Sequence, residues 1–172
     1  MTLKQALAGK EIPHSIKENL VLIDVEYWGF DACQHVGQLV IHRELTEDVK
    51  DIFAEIKAAR FPIEKIIPVS QYAWSDDASM EDNNSSAFNY RNIVDGQNLS
   101  QHAYGRAIDL NPRLNPYVKG DFILPPGAVY SPEVPGTITS DGEVVKAFLK
   151  RGWDWGGSWQ RLKDWQHFEK RE

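Results

Sequence analysis

The stretch SQHAYGRAIDLNP, residues 100–112, places two potential metal ligands beside an apolar run. Its AIDL segment predicts a strand, and the carboxylate of Asp109 lies inside it. A buried carboxylate is costly unless it is paired or metal-bound, and His102 precedes Asp109 by seven residues. Zinc accepts nitrogen and oxygen ligands, so both residues are candidate ligands. The spacing of one histidine and one aspartate also occurs in unrelated chains, which leaves a purely structural role open.

Composition restricts the class of protein. The chain has 172 residues, 42% of them hydrophobic, which suits one domain across residues 1–172. Its formal net charge of −6 argues against a nucleic-acid partner. Cys33 is the only cysteine, which excludes an internal disulfide and a cysteine-rich zinc site. We expect the chain to act as a monomer.

The sequence also bears on localisation. It has no apolar run approaching about 20 residues, so we expect no membrane span. Residues 1–13 show no apolar stretch of signal-peptide length. The protein is therefore expected to stay inside the cell, to leave it by another route, or to have lost a leader.

Apolar patterning predicts a mixture of strands and separate helices, which favours an α+β domain. Residues 19–28 and 35–42 are predicted as paired strands, and residues 65–72 as a strand with Pro68 at an edge or bulge. A helix capped by Thr46 is predicted from four apolar positions at helical spacing: Val49, Ile52, Phe53 and Ile56. A second helix is predicted over residues 142–151, capped by Ser140 or Asp141 and ended by Gly152.

Two segments are predicted as loops. Residues 75–91 are polar and follow neither period, which predicts a loop with a helical turn at its end. The acidic cluster of this loop is predicted to be solvated: Asp76, Asp77, Glu81 and Asp82. Six of the nine prolines fall between Pro112 and Pro135. A loop of that length is usually functional or mobile, and we expect it beside the site.

A third metal ligand must come from another part of the chain. Three of the remaining histidines are predicted to be solvated or locally hydrogen-bonded: His14, His35 and His42. His167 lies in the aromatic run WQHFE, three residues after Asp164. Trp153, Trp155 and Trp159 could form a substrate wall, although core packing is favoured for them and for Trp165. Tyr104 and Arg106 are predicted to be packing or surface residues.

At this point SQHAYGRAIDLNP resembles the SxHxxGxAxD signature of a family of zinc peptidases. That family includes D-alanyl-D-alanine carboxypeptidases, VanY-type enzymes and L-alanyl-D-glutamate endolysins. DWQHFE is similar to its second motif, and the order of FDACQHVGQLVIHREL, RFPIEKIIPV, DNNSSAFNYRNI and WGGSW extends the resemblance over about residues 20–170. It implies a fold like the hedgehog signalling domain, with a central antiparallel sheet and flanking helices.

The resemblance also implies roles for particular residues. His102, Asp109 and His167 would bind one zinc ion per chain, with the fourth coordination position left to water. Asp164 would be the general base, where some members carry glutamate. Arg91 matches an arginine that holds the scissile carbonyl oxygen, and Ser100 would give supporting hydrogen bonds. Cys33 takes no catalytic role.

The implied function is zinc-dependent hydrolysis of peptidoglycan stem peptides. D-alanyl-D-alanine carboxypeptidase action is favoured, with Arg91, Ser85 and Ser86 available to bind a terminal carboxylate. L-alanyl-D-glutamate endopeptidase action is the alternative. A non-catalytic zinc-bearing cell-wall binding module of this fold, or a zinc hydrolase acting on another amide, also stays open, although a binder would not need Asp164 and Arg91.

Overall fold

The computed structural model describes residues 1–94 and 96–171, and it confirms an α+β architecture. The helices are α1 (Leu3–Ala6), α2 (His14–Lys17), α3 (Thr46–Ala58), α4 (Asp76–Glu81) and α5 (Glu143–Leu149). The strands are β1 (Leu20–Trp28), β2 (Gln34–His42), β3 (Lys65–Ile66), β4 (Asn84–Ser85), β5 (Ala107–Asp109), β6 (Tyr117–Lys119), β7 (Phe122–Leu124), β8 (Asp154–Trp155), β9 (Lys163–Asp164) and β10 (His167–Glu169). No helix in the described part of the chain is long and apolar enough to cross a membrane.

The strands form four small sheets among the described residues, and the single central antiparallel sheet that the sequence predicted is not seen. The sheets have the strand orders β1-β2, β5-β10-β8, β3-β4 and β7-β6-β9. The β3-β4 pair is parallel and the other pairs are antiparallel. A bridge between Ser86 and Asp109 joins the end of β4 to β5. The hedgehog-like fold therefore stays a prediction, as does the single domain over residues 1–172.

The β1-β2 hairpin and helix α3 confirm the sequence predictions for residues 19–58. The hairpin runs in unbroken register from Leu20 opposite His42 to Trp28 opposite Gln34. The four predicted apolar positions of α3 are all buried. Thr46 is the first residue of α3 and not its cap, because Leu45 occupies the cap position and the Thr46 hydroxyl donates to the Arg43 carbonyl.

Residues 65–91 differ from the prediction. β3 ends at Ile66, and residues 69–72 form a 3₁₀ turn after Pro68, which has no N–H to donate to a ladder. Residues 75–91 contain helix α4, whose first turn is capped by the Ser75 hydroxyl accepting from the Ala78 N–H. The predicted loop is therefore partly helical.

The proline-rich segment is more ordered than predicted. It contains the β6-β7 hairpin, and β6 also pairs with β9, where Tyr117 lies opposite Asp164. The side chain of Asn115 closes the ends of the segment by donating to the Leu110 carbonyl and accepting from the Ile138 N–H. This segment thus builds the sheet that carries Asp164, which confirms its place beside the candidate site.

Helix α5 and the aromatic core hold β10 in place. Gly142, and neither Ser140 nor Asp141, caps α5, while Gly152 follows its end as predicted. Phe148 stacks on Phe168 with ring centroids 3.9 Å apart, and both rings are fully buried. Neighbouring side chains of a strand point to opposite faces, so a core-facing Phe168 turns His167 and Glu169 to the other face.

Candidate metal centre and its cleft

Three buried side chains converge at the edge of the β5-β10 pair. Ligand atoms of His102, Asp109 and His167 all lie within 4.8 Å of one another. The antiparallel register places His167 directly opposite Asp109. Cross-strand neighbours of this kind bring their side chains onto one face, so the register itself creates half of the cluster.

The local conformation of residues 100–105 brings His102 to the same place. The Ser100 hydroxyl accepts from the His102 N–H at 3.3 Å and caps a 3₁₀ turn over residues 101–104. Gly105 ends the turn with φ of +69°, and a Cβ there would lie 2.6 Å from the backbone nitrogen of His42. A side chain is therefore excluded at Gly105, and the chain reverses directly into β5.

The hydrogen bonds fix which nitrogens face the centre. His102 uses Nδ1 for the Ala87 carbonyl, and His167 uses Nε2 for the Glu169 carboxylate at 3.1 Å. The other nitrogens point inward: His102 Nε2 lies 3.1 Å from Asp109 Oδ2, and His167 Nδ1 lies 3.0 Å from Asp109 Oδ1. Supporting bonds of this type orient histidine ligands in metal sites.

This ligand set fits a zinc ion. His102 Nε2 and His167 Nδ1 face each other at 3.1 Å. If their outer nitrogens donate, both inner nitrogens and the carboxylate are acceptors, so a proton or a cation must lie among them. Two imidazoles and one carboxylate form a three-ligand set typical of catalytic zinc sites. The cluster could therefore hold such an ion.

Charge at the cluster shifts the pKa values of its members. Burial would lower the pKa of His167, but its contacts with Asp109 and Glu169 raise it to about 10. Burial would raise the pKa of Asp109, yet the charge of His102 and the bonds from both histidines hold it well below its usual range. Both shifts have the same cause, which is the attraction between the Asp109 carboxylate and the imidazoles beside it.

Asp164 lies in the same cleft but outside the cluster. The residue is half-buried, and its Oδ1 is buried with no hydrogen-bond partner among the described residues. Burial raises the pKa of the Asp164 carboxyl to about 7, although the nearby charge of His167 opposes the shift. A carboxylate of that pKa is suited to take up and release a proton near neutral pH.

Gly156 permits the position of Asp164. A Cβ at Gly156 would lie 2.6 Å from the Asp164 carbonyl oxygen and 2.8 Å from the Asp164 Cβ. The turn of Trp155, Gly156 and Gly157, called here the WGG turn, therefore lies closer to β9 than a side chain at position 156 would allow. The sequence did not indicate this constraint.

Arg91 lies on the cleft wall and is held by neighbouring groups. The Nη2 atom of Arg91 is 2.9 Å from Asp76 Oδ2, and its Nη1 donates to the Asn92 carbonyl at 3.1 Å. Its backbone carbonyl accepts from the Ser100 N–H, which ties it to the turn that carries His102. The predicted acidic cluster is thus not simply solvated, since Asp76 pairs with Arg91 and Asp82 pairs with Lys65.

The cleft has a volume of about 400 Å³. The apolar and aromatic residues that line it are Ile93, Val94, Leu99, Tyr117, Trp159 and Leu162. The Trp159 ring lies 5.5 Å from the His167 ring and its indole N–H donates to Asp154. Core packing is confirmed for Trp153 and Trp155 and is wrong for Trp159. Trp165 packs against the core as predicted and stacks on Tyr130.

Ser85 and Ser86 lie behind the cluster and do not line the cleft. The Ser85 hydroxyl accepts from the Asn111 N–H, and the residue is fully buried. Ser86 exchanges two backbone hydrogen bonds with Asp109. The structure therefore fits a supporting role for both serines and removes the suggested contact with a substrate carboxylate.

The remaining predicted residues take local roles. His14 is exposed beside Glu18, and His35 is partly buried beside Asp31. His42 is buried and accepts from the Glu44 N–H. Arg106 is buried and pairs with Glu44. Sequence reasoning missed Glu169 as the partner of His167, although the two-residue strand period would have placed both on one face. No sequence signal indicated the Asp76–Arg91 contact.

Comparison with known proteins agrees with this geometry. Residues 94–170 match a family model described as D-alanyl-D-alanine carboxypeptidase. The match supports a peptidase of that family. It covers a little under half of the chain, does not distinguish a subfamily, and contains all three cluster residues and Asp164 but not Arg91. Neither the curated proteins nor the solved structures contain a significant match to the chain.

The contact between Gly156 and Asp164 generates a prediction. Gly156→Ala should displace β9 and lower peptide hydrolysis by about 10- to 100-fold, since a displacement of about 1 Å at a reacting group can cost this much. Zinc content should stay unchanged because His102, Asp109 and His167 are on other elements. Gly142→Ala, which lies outside the cleft lining, is the control for a general loss of stability. Steady-state kinetics with elemental analysis would contradict the idea if Gly156→Ala kept full turnover.

The raised pKa of His167 predicts that metal binding is coupled to the release of a proton. A group with a pKa of about 10 is protonated at pH 8, and a histidine ligand must be neutral, so zinc has to displace that proton. Zinc binding at pH 8 should release about one proton per ion, and its affinity should rise from about pH 6 to pH 9. Calorimetry in two buffers of different ionisation enthalpy measures the release. Identical binding enthalpies in both buffers would contradict it, and His35→Ala, which changes a histidine outside the cluster, should behave as wild type.

Proposed function

We propose that this protein is a zinc-dependent peptidase that hydrolyses peptide bonds in peptidoglycan stem peptides. One observation carries the proposal: a buried His–Asp–His group shares a cleft with Asp164, whose Oδ1 has no hydrogen-bond partner among the described residues, within a segment that matches a peptidase family. Every ligand comes from one chain, so a monomer suffices. The substrate implies action at the cell wall or in the periplasm, or release by lysis.

His102, Asp109 and His167 would hold the metal. A zinc ion bound there supplies Lewis-acid activation of water and of the peptide carbonyl. The protein's own contribution is to keep the three side chains oriented, through Ala87 behind His102 and Glu169 behind His167. Orientation by such partners is worth about 10- to 100-fold in metal affinity or activity in comparable sites.

Asp164 would act as the general base and then as the general acid. Its carboxylate takes a proton from the attacking water and delivers it to the leaving amine. Burial supports this role because it raises the pKa of Asp164 towards neutral pH, while Asp109 remains ionised. Two carboxylates with opposite shifts can take different roles in one site.

Arg91 would stabilise the scissile carbonyl oxygen as negative charge develops on it. The guanidinium lies on the cleft wall and retains N–H groups beyond those used for Asp76 and Asn92. Fixed donors of this kind act mainly in the transition state. A non-catalytic binding module would have no use for an arginine and an aspartate of raised pKa in the same cleft.

D-alanyl-D-alanine carboxypeptidase action remains the first choice of bond, supported by the description of the matching family. L-alanyl-D-glutamate endopeptidase action is the second. One observation favours this second candidate: Ser85 and Ser86, two of the three residues expected to bind a terminal carboxylate, are buried and do not line the cleft. A zinc hydrolase acting on another amide would share the same site chemistry.

The assay that tests the proposal uses muropeptides with pentapeptide stems. Wild-type protein with zinc should release a product that mass spectrometry identifies: free D-alanine for the carboxypeptidase, or a cut between the first two stem residues for the endopeptidase. A chelator should abolish the product and added zinc should restore it. The His35→Ala variant is the active control. Intact muropeptides after incubation with zinc-loaded protein would contradict the proposed substrate.

Substitution of Asp109 and substitution of Asp164 should have different effects. Asp109→Asn should lose zinc, stability and activity together, because it removes a ligand from the buried cluster. Asp164→Asn should keep zinc and the fold while turnover falls by at least about 10²-fold, the lower end of general acid–base effects. Elemental analysis, thermal unfolding and kinetics measure the three properties. Near-wild-type turnover in Asp164→Asn would contradict the base assignment, and loss of zinc would make Asp164 a ligand.

A further inference from the structure

The guanidinium of Arg91 is tethered by a carboxylate from a distant part of the chain. Asp76 Oδ2 lies 2.9 Å from Arg91 Nη2, and each side chain is only 24% exposed. An arginine side chain is long and flexible, so its head group needs partners to keep one position. The contact is more enclosed than an ordinary surface pair, whose contribution is small.

Asp76 is itself held from its other side. Its Oδ1 accepts from the Asn89 side-chain amide at 3.1 Å, and Asn89 is 2% exposed. The backbone N–H of Asn89 donates to the His102 carbonyl at 3.2 Å. The Asp76 carboxylate therefore contacts both Arg91 and Asn89, which belong to the segment that is hydrogen-bonded to the backbone of His102.

The start of helix α4 sets the direction of Asp76. Ser75 caps the helix, which makes Asp76 its first residue. The adjacent Asp77 is exposed and has no described bond to the cleft. The two neighbouring aspartates thus differ in environment while carrying the same charge, and they form a natural matched pair.

We propose that Asp76 is a positioning residue, which holds the Arg91 guanidinium against the cleft so that its remaining N–H groups face the reacting carbonyl oxygen. The inference rests on the proposed function, since Arg91 takes its catalytic role there. Asp76 and Arg91 both precede the segment matched by the peptidase family, so the family match says nothing about the contact between them.

The kinetic test compares Asp76→Asn with Asp77→Asn in zinc-loaded protein. Asp76→Asn should lower kcat by about 10- to 100-fold with KM nearly unchanged, because a displaced Arg91 weakens an interaction made in the transition state. Asp77→Asn should leave both constants unchanged. In an Arg91→Ala background, Asp76→Asn should cause no further loss, because the residue that it positions is absent.

Equal kinetics for Asp76→Asn and Asp77→Asn would overturn the proposal. So would a further loss in the Arg91→Ala background as large as that in the wild type, which would give Asp76 a general structural role.

A second measurement is independent of turnover. The side-chain ¹⁵N–¹H signal of Arg91, assigned with Arg91→Lys, should report an ordered guanidinium in the wild type and in Asp77→Asn, and an averaged one in Asp76→Asn. If the wild type cleaves no stem peptide, the proposed function fails while this comparison still decides the positioning role. A guanidinium that is equally ordered in both variants would overturn it.

Discussion

The antiparallel register between β5 and β10 is the constraint on which the candidate site depends. It places His167 opposite Asp109, while Phe168 between His167 and Glu169 is locked into the core against Phe148. A shift of one residue would turn Phe168 into the cleft and His167 into the core. Burial of one aromatic ring therefore fixes the orientation of a ligand on the other face, and the geometry of the cluster is determined by core packing.

The same burial creates the electrostatic character of the cluster. Three acceptor groups lie within hydrogen-bond distance of one another and are shielded from water, so their mutual repulsion must be relieved by a proton or a cation. The raised pKa of His167 and the lowered pKa of Asp109 are two expressions of that requirement. Burial raises the pKa of Asp164, opposite to the shift of Asp109, and the Oδ1 of Asp164 has no hydrogen-bond partner within residues 1–94 and 96–171.

Local patterns predicted part of this arrangement, and the rest depends on long-range contacts. The hairpin, α3 and the grouping of His102, Asp109 and His167 could be anticipated because periodicity and motifs reside in short segments. The division into four sheets could not, since pairs such as β6 with β9 join distant residues. Trp155 is buried in the core while Trp159, four residues later, lines the cleft. Asp76 pairs with Arg91 while its neighbour Asp77 is exposed. Side-chain direction at such places is set by tertiary packing.

The cluster and Asp164 are carried by different elements, and His102 lies in the 3₁₀ turn over residues 101–104. Asp109 and His167 belong to the β5-β10-β8 sheet, whereas Asp164 belongs to the sheet that the proline-rich segment builds. The two sheets meet through the WGG turn, where β8 leads into Gly156 and Gly156 touches Asp164. The cluster and Asp164 therefore depend on different strand pairings. Asp164 is placed by the pairing of β9 with β6 and by the close approach of Gly156, whereas Asp109 and His167 are placed by the pairing of β5 with β10. A change in the proline-rich segment should therefore displace Asp164 more than it displaces the cluster.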